Sequence, residues 1–312
     1  MASLKNIKKK ILTYKKTGTV THAMEAVSAV KMRKAQERAL GGRAYAAAAL
    51  SVLERLSGTV EIARHPLMNI VVKAGPLRAK TCFIVITSDK GLAGSLNSAV
   101  IRRVEADIAS HELDKKDVII VAMGRRGGDH FLNRGYEVRI KLENVSDDVS
   151  EAQMREVTNK LIEWHKNAEI RTVTVAYTNF VSTFEQEAIV RQIVPITPVL
   201  MAEVIAGIRP ARGKYAPSAA DAKAGKPAAY TIEPDADTVL AVLLPTLLNI
   251  SVFHAMLESK ASEHSARMVA MKSATDKAKD MVKSYTRTFN KIRQAAITAE
   301  VSEITSGMEA MR

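Results

Sequence analysis

The stretch that decides the fold is MVAMKSATDKAKDMVKSYTRTFNKIRQAAITA, residues 268–299. Apolar or small residues recur in it at alternating intervals of three and four, which is typical of a coiled-coil seam. The predicted seam residues are Met268, Met271, Thr275, Ala278, Val282, Tyr285, Phe289, Ile292, Ala296 and Ala299. Because no Gly or Pro occurs between Thr246 and Ser306, we expect one helix from about Asp237 onward, about 110 Å long at 1.5 Å per residue. Such a rod must project from any globular domain of this size.

A second apolar stripe replaces the seam at the extreme end of the chain. Its residues are Ile297, Val301, Ile304, Met308 and Met311. A register shift of this kind changes the local supercoil.

A second helical arm is predicted at the N-terminus, from about Ser3 to Ser57. Its expected seam residues are Leu4, Ile7, Ile11, Tyr14, Val20, Met24 and Val27. An interior Gly costs about 1 kcal/mol relative to Ala, so we expect Gly18 to soften or bend this arm.

Between the arms, apolar runs alternate with amphipathic stretches. The predicted strands are Cys82–Thr87, Val118–Ala122, Glu137–Leu142, Val173–Tyr177 and Ile189–Val194. The predicted helices are Asn97–Ser110, Arg126–Asn133 and Ser150–Asn167. This alternation predicts a Rossmann-like α/β domain with a mainly parallel sheet and an antiparallel edge. The fold class is therefore α/β, with two long helices added to that domain.

Four segments follow from these patterns. Residues 1–60 and 236–312 are predicted as N- and C-terminal coiled-coil helices, and residues 70–205 as the Rossmann-like domain. Residues 206–235 are rich in Pro, Gly, Ala and Lys, and we interpret them as a flexible surface insertion or linker.

Composition excludes several protein classes. The 312 residues are 47% apolar, which excludes wholesale disorder, and the single Cys82 excludes a disulfide framework and a Cys-rich zinc site. The net charge is +13, and residues 1–60 carry twelve Lys and Arg against three acidic residues. A basic arm of this kind either faces an anionic partner or is a solvated helix face.

Targeting and membrane signals are weak. The N-terminus has neither the apolar core of a signal peptide nor the pattern of a transit peptide, which favours a bacterial origin. The uncharged residues 238–257 could span a membrane by length, but Pro245, Asn249 and His254 favour a helix buried in protein. We therefore expect no transmembrane segment.

No catalytic, cofactor-binding or metal-binding pattern is present in the sequence. The turn Gly91–Gly94 lacks the GxGxxG spacing of dinucleotide-binding proteins, and the seven His residues lack metal-ligand spacing. Two alternatives stay open at this point. One is a basic coiled-coil protein that binds nucleic acid, and the other is a nucleotide-dependent enzyme built on the middle domain.

A resemblance to a known family rests on five stretches of sequence. They are THAMEAV (21–27), KMRKAQ (31–36), SDKGLAGSLN (88–97), ASEHSARMVAMKSATD (261–276) and NKIRQAAITAEVSEI (290–304). In this order they resemble the γ subunit of F-type ATP synthases along the whole chain. The resemblance implies a non-catalytic rotor whose two arms form an antiparallel coiled coil inside a ring of three α and three β subunits. It also implies contact with the ε subunit and the c ring, at the cytoplasmic face of a bacterial inner membrane. Proton flow through the c ring would then drive ATP synthesis at the β sites.

The resemblance also assigns roles to six positions. Met24 matches a methionine near the β lever loop, and Arg293 and Gln294 match a pair that contacts a β loop near the top of the shaft. Arg267, Thr298 and Glu300 match positions implicated in coupling or in contact between the arms. The alternative for each position is a plain seam or surface residue, and the resemblance favours the functional role most at Arg293 and Gln294. His22 stands where the family commonly has Lys.

Overall fold

The computed structural model describes residues 4–41, 48, 52, 65–69, 79–197 and 235–311. The chain divides into two compact units, one of Met1–Ser28 with Arg267–Arg312 and one of Ala29–Ala266. Two long helices, α1 (Leu4–Gly41) and α5 (Ala236–Ala310), each continue from one unit into the other. The shorter helices are α2 (Leu96–Ser110), α3 (Arg125–Asn133) and α4 (Glu151–Lys166), with single 3-10 turns at Pro66–Met68 and Lys115–Asp117.

The unit of residues 29–266 is built on a five-stranded sheet. Its strands are β1 (Lys80–Ile86), β2 (Val118–Met123), β3 (Glu137–Leu142), β4 (Ile170–Phe180) and β5 (Gln186–Val194). The spatial order is β3-β2-β1-β4-β5, and every neighbouring pair is parallel except the antiparallel pair β4–β5. This confirms the predicted mainly parallel sheet with an antiparallel edge.

Helices cover both faces of this sheet. Because side chains alternate along a strand, Cys82, Ile84 and Ile86 of β1 face α4 and the first part of α5, whereas Phe83 and Val85 face α2 and α3. The central strand β1 is thus buried on both faces, which explains its continuous apolar run.

The apolar start of α5 belongs to the core of this unit. By length and composition, one helix among the described residues, Asp237–Ala310, could cross a membrane. However, Leu240, Leu244, Leu248 and Val252 are fully buried beneath the sheet. Burial in protein therefore accounts for the apolar composition of this stretch, as expected from its polar residues.

Helix α1 covers the first part of the predicted N-terminal arm. Helix α1 continues through Gly18 without a break, and softening or bending at this residue stays a prediction. Apart from Ala48 and Val52, the predicted part of the arm between residues 42 and 57 lies outside the described residues. The predicted insertion also lies outside them, except for Asp235.

Candidate functional site

The unit of residues 1–28 and 267–312 is a pair of antiparallel helices. The Thr21 and Thr275 hydroxyl oxygens lie 2.7 Å apart, and the rings of Tyr14 and Tyr285 stack with centroids 5.5 Å apart. Residue numbers rise along α1 as they fall along α5, so the two helices run in opposite directions. This confirms the coiled coil that the resemblance implied.

Beyond Tyr14, the seam of α1 follows a different register from the one that the sequence pattern predicted. Val20 and Val27 are 58% and 56% exposed, so their prediction as seam residues is wrong. Continuing the three-and-four spacing from Tyr14 leads instead to Gly18, Thr21, Glu25 and Ser28, which are buried or half-buried. Small side chains allow the helix backbones to approach each other closely.

Gly18 shows how close this approach is. A β-carbon built on Gly18 would lie 3.5 Å from the β-carbon of Ala278, which is ordinary van der Waals contact. On the α5 side, Met271, Thr275 and Ala278 are buried, and the predicted seam residues up to Ala296 are buried or half-buried. The α5 seam is therefore confirmed except at its last position, Ala299, which is exposed.

Beyond Ala296, every described residue of α5 is exposed. The second apolar stripe, Ile297, Val301, Ile304, Met308 and Met311, is between 51% and 91% exposed. Four of the six predicted coupling residues lie within or beside this region: Arg293, Gln294, Thr298 and Glu300, all exposed. The Thr298 hydroxyl donates to the backbone oxygen of Gln294 at 2.9 Å.

Helical geometry places these polar residues beside the apolar stripe. At 100° per residue, Arg293, Ile297 and Glu300 lie in one row, and Gln294 and Thr298 lie in the next. The exposed end of α5 therefore presents an apolar surface with charged groups along one side and amide and hydroxyl groups along the other.

Met24 and Arg267 lie elsewhere in the helix pair. Met24 is half-buried, and its backbone oxygen accepts a hydrogen bond from Ser28 Oγ at 2.7 Å. Because Thr21 faces Thr275, Met24 lies about six helical turns from Gln294 along the pair. Arg267 is half-buried. The structure thus does not bring all six predicted residues into one site.

The basic residues of α1 face solvent. Lys5, Lys8, Lys9, Lys10, Lys15 and Lys16 are all exposed. The Lys10 ammonium also lies 5.4 Å from the centre of the Tyr285 ring, within the range of a cation–π contact.

The Gly-rich turn after β1 is satisfied by its own side chains. Ser88 N donates to Asn97 Oδ1 at 2.8 Å, and Asn97 Nδ2 donates to Ser88 Oγ at 2.8 Å. The backbone nitrogen of Arg125, at the start of α3, donates to Asp89 Oδ1 at 2.9 Å. Because these nitrogen donors already bind oxygen atoms of the protein, they are not available to a phosphate. The turn is therefore suited to joining a strand to a helix.

Burial raises the pKa of acidic groups inside the sheet unit. Burial raises the pKa of the Cys82 thiol to about 12, which makes it a poor nucleophile. Burial also raises the pKa of the Glu258 carboxyl to about 8, although the Arg191 charge and the Tyr177 hydroxyl act in the opposite direction. Within the described part of the chain, no group of three or more His, Cys, Asp or Glu side chains is placed to hold a metal ion.

Comparison with known proteins identifies the family. The family model described as ATP synthase matches residues 3–311. The "ATP synthase gamma chain" of Heliobacterium modesticaldum is 36% identical over 314 residues, covering all of both chains. The chain belongs to the ATP synthase gamma-chain family. It is therefore a gamma subunit of the central stalk, which is a non-catalytic subunit peripheral to the membrane.

Solved structures show the same fold as this gamma chain. A chain of the Tetrahymena thermophila mitochondrial ATP synthase central stalk and c-ring structure matches with a TM-score of 0.57 at 21% identity, covering 82% of this chain and 99% of that one. A chain of the Euglena gracilis mitochondrial enzyme, in a structure of OSCP, F1 and c-ring, matches with a TM-score of 0.62 at 16% identity, covering 99% and 94%. The nucleic-acid-binding alternative is not supported by these comparisons.

The sequence analysis missed one part of this gamma chain, the buried polar segment Glu258–Ser265 of α5. All of its residues except Ala261 are polar, and polar residues in a helix are more typical of an exposed face. The signal that could have found them is the dense run of small Ser and Ala residues, which allows other elements to pack closely against the helix.

Proposed function

We propose that this gamma chain is the rotor of an F-type ATP synthase, turning inside a ring of three α and three β subunits. The observation that carries the proposal is the antiparallel helix pair with its exposed end of α5, in a chain that matches the family over its full length. The ε subunit and the c ring are the proposed partners of the Rossmann-like unit. Proton flow would turn the c ring and this chain together.

The helix pair suits a slender shaft. Part of its seam, around Gly18 and Ala278, is filled by small residues, so the two helices lie close together there. Neither helix is interrupted between its described ends, which favours resistance to bending. Rotation of this asymmetric shaft would change the conformation of each β site in turn, while nucleotide chemistry stays with the ring.

The exposed end of α5 supplies the proposed contact surface on which the rotor turns against the ring. Its apolar stripe includes Met308 and Met311, whose unbranched, polarizable side chains adapt to a changing surface. We assign this stripe to the apolar inner surface at the top of the ring. The exposed lysines of α1 would face acidic loops of β, where attraction between screened surface charges steers the shaft without locking it.

The six coupling residues remain proposals. Arg293 presents a permanently charged guanidinium and Gln294 an amide, both exposed, so both can bind polar groups of a β loop. Glu300 lies on the same side of the apolar stripe as Arg293, and Thr298 lies on the same side as Gln294. Met24 and Arg267 would act lower on the shaft, Met24 near the β lever loop.

Assembly provides the first test. Co-expression with the α and β subunits of the same organism should yield a complex that hydrolyses ATP and contains this chain in substoichiometric amount. An α/β complex that forms and purifies without this chain would refute the rotor assignment.

Coupling provides the second test. Arg293→Glu combined with Gln294→Ala should reduce ATP-driven proton pumping in membrane vesicles more than it reduces the amount of assembled complex. Arg287→Glu, the same charge reversal at another exposed position of α5, serves as the matched control. Normal pumping by the double variant would count against the proposed role of this pair.

We further propose that the complex lies at the cytoplasmic face of a bacterial inner membrane. The support is the full-length similarity to the Heliobacterium gamma chain. A membrane fraction should release this chain together with α and β after a low-salt wash, since these subunits are held peripherally. Retention after that wash, with release only by detergent, would contradict a peripheral position.

A further inference from the structure

The eight residues Glu258–Ser265 of α5 form what we call the polar collar. Seven of them are polar, with Ala261 the exception, and none is more than 8% exposed. A helix buried on every side is normally apolar, because a buried polar group without a partner is costly. The polar collar is therefore stable only if other elements supply partners to it.

One set of partners comes from the β4–β5 hairpin. Ser262 Oγ donates to the backbone oxygen of Thr178 at 3.1 Å, and Ser265 Oγ donates to that of Thr183 at 2.6 Å. Gln186 Nε2 donates to Ser265 Oγ at 3.4 Å. Both seryl hydroxyls thus bind backbone atoms of the hairpin. They reach these atoms at only one rotation of α5 about its axis and one position along it.

A second set of partners lies on the opposite side of the helix. Lys260 Nζ donates to the backbone oxygen of Val145 at 2.8 Å, and His264 Nε2 lies 2.9 Å from Asp147 Oδ1. The other oxygen of Asp147 accepts from Lys31 Nζ of α1 at 2.6 Å. At 100° per residue, Lys260 and His264 lie about 160° from Ser262 around the helix. Hydrogen-bond partners therefore bind the polar collar on two sides of the helix, and Asp147 also links it to α1.

We propose that the polar collar fixes the register of α5 in the sheet unit, so that torque passes into the shaft without slip. This inference rests on the proposed rotor function. The apolar start of α5 packs through non-directional contacts, which change little when a helix turns slightly. Directional hydrogen bonds behave differently, because a rotation by one residue turns both seryl hydroxyls away from their acceptors and leaves Lys260 buried without its partner. Ser262 and Ser265 are positioning residues in this sense.

Matched alanine variants separate register from stability. Ser262→Ala and Ser265→Ala each remove the bond to the hairpin while keeping the space filled almost unchanged. Ser259→Ala is the control, since Ser259 is 4% exposed in the same turn and donates no hydrogen bond among the described residues. All three make the same chemical change in one buried helix segment.

The measurement uses membrane vesicles that carry the complete synthase. ATP hydrolysis is followed together with ATP-driven proton uptake, read from a pH-sensitive dye, and the ratio of uptake to hydrolysis is compared. Loss of two hydrogen bonds raises the population of a displaced register by roughly 30-fold. We expect the double variant Ser262→Ala/Ser265→Ala to lower the ratio at least about twofold while hydrolysis persists, and Ser259→Ala to match the wild type.

Each outcome decides the proposal. A double variant with the same ratio as Ser259→Ala overturns it, and so does a parallel fall of uptake and hydrolysis, which marks a purely structural role. If the double variant does not assemble, the two single variants are judged by the same ratio. A wild-type chain that fails to assemble with α and β overturns the proposed function itself, before the variants are compared.

Discussion

Replacing Glu258 by Gln should remove a large pH dependence from the stability of the sheet unit. Glu258 is 7% exposed and lies on α5, where it faces Tyr177 of β4 and Arg191 of β5. On its own helix, His254 Nδ1 lies 3.8 Å from Glu258 Oε1. Burial is the largest influence on this carboxyl and raises its pKa to about 8, so the folded protein holds it protonated at neutral pH.

The size and sign of the effect follow from this shift. A Glu side chain in the unfolded chain has its ordinary pKa of 4.5, against about 8 when folded. The unfolded state therefore loses the proton first, and the free energy of unfolding falls as the pH rises between these values. At 1.36 kcal/mol per pKa unit, the loss between pH 5 and pH 8 amounts to about 4 kcal/mol. Gln does not titrate, so Glu258→Gln should lack this loss.

Urea denaturation over the same pH range measures the effect. Trp164, the single tryptophan of the chain, packs against the core of the sheet unit and reports its unfolding by fluorescence. We expect the unfolding free energy of the wild type to fall more steeply with pH than that of Glu258→Gln. Glu303→Gln neutralises an exposed acid on the same helix and should keep the wild-type slope.

Two results would refute this reasoning. Equal slopes for the wild type and Glu258→Gln would mean that the carboxyl has the same proton affinity in both states. A variant that is much less stable than the wild type at pH 8 would mean that the folded protein holds Glu258 ionised against Arg191. In that case the attraction between the two charges would outweigh the cost of burial.

Three further predictions concern packing and reactivity. Gly18→Ala should raise the unfolding free energy by about 1 kcal/mol, because the added β-carbon would lie 3.5 Å from that of Ala278, and Gly18→Leu should lower it. Thermal melting followed by circular dichroism compares the two, and a lower melting temperature for Gly18→Ala would contradict the packing. Gly124→Ala should lower the free energy by about 3 kcal/mol or more, because Gly124 has a φ of +108° and a β-carbon would lie 2.0 Å from the backbone oxygen of Thr87. An unchanged urea midpoint would contradict this. Cys82 should resist iodoacetamide at pH 8 in the native protein and react in urea, as mass spectrometry can show, because burial raises its pKa to about 12; rapid native labelling would contradict it.

The centre of the sheet could be predicted from the sequence because β1 and β2 are buried along almost their whole length and therefore form continuous apolar runs. Strand β3 was predicted at its observed bounds, and β1 and β2 to within two residues at each end. Strand β4 is longer than predicted, Ile170–Phe180 instead of Val173–Tyr177. Its added residues include Arg171, Thr172 and Asn179, which are only partly buried and break the apolar run that marked the strand.

The seam of α1 was predicted in the wrong register for a physical reason. The prediction followed the large apolar residues Val20 and Val27, whereas close approach of two helices favours small residues. Gly18 and Thr21 are weak signals of burial by hydrophobicity alone. Their position in the three-and-four spacing, not their polarity, marks them as seam residues.

The polar collar could not be predicted from local pattern because its partners are distant in sequence. Ser262 binds the backbone of Thr178, and Lys260 binds that of Val145, across 84 and 115 positions of the chain. Both acceptors are backbone atoms, which carry no sequence signal. The proposed coupling residues Arg293 and Gln294 raise the opposite difficulty. They are exposed, and only the family resemblance distinguished them from other surface residues.

Helix α5 passes through four environments in turn, and its composition changes with each one. Its first turns are apolar and anchor it beneath the sheet, and the polar collar then adds directional bonds. A seam of small and large residues with α1 follows, and an exposed apolar stripe ends the helix. An anchor of apolar contacts alone would hold the helix but leave its rotation weakly determined. Directional bonds immediately after the anchor determine rotation where α5 leaves the sheet unit. This order of environments along one helix favours the proposed role of a rotor that is turned at one end and bears a load at the other.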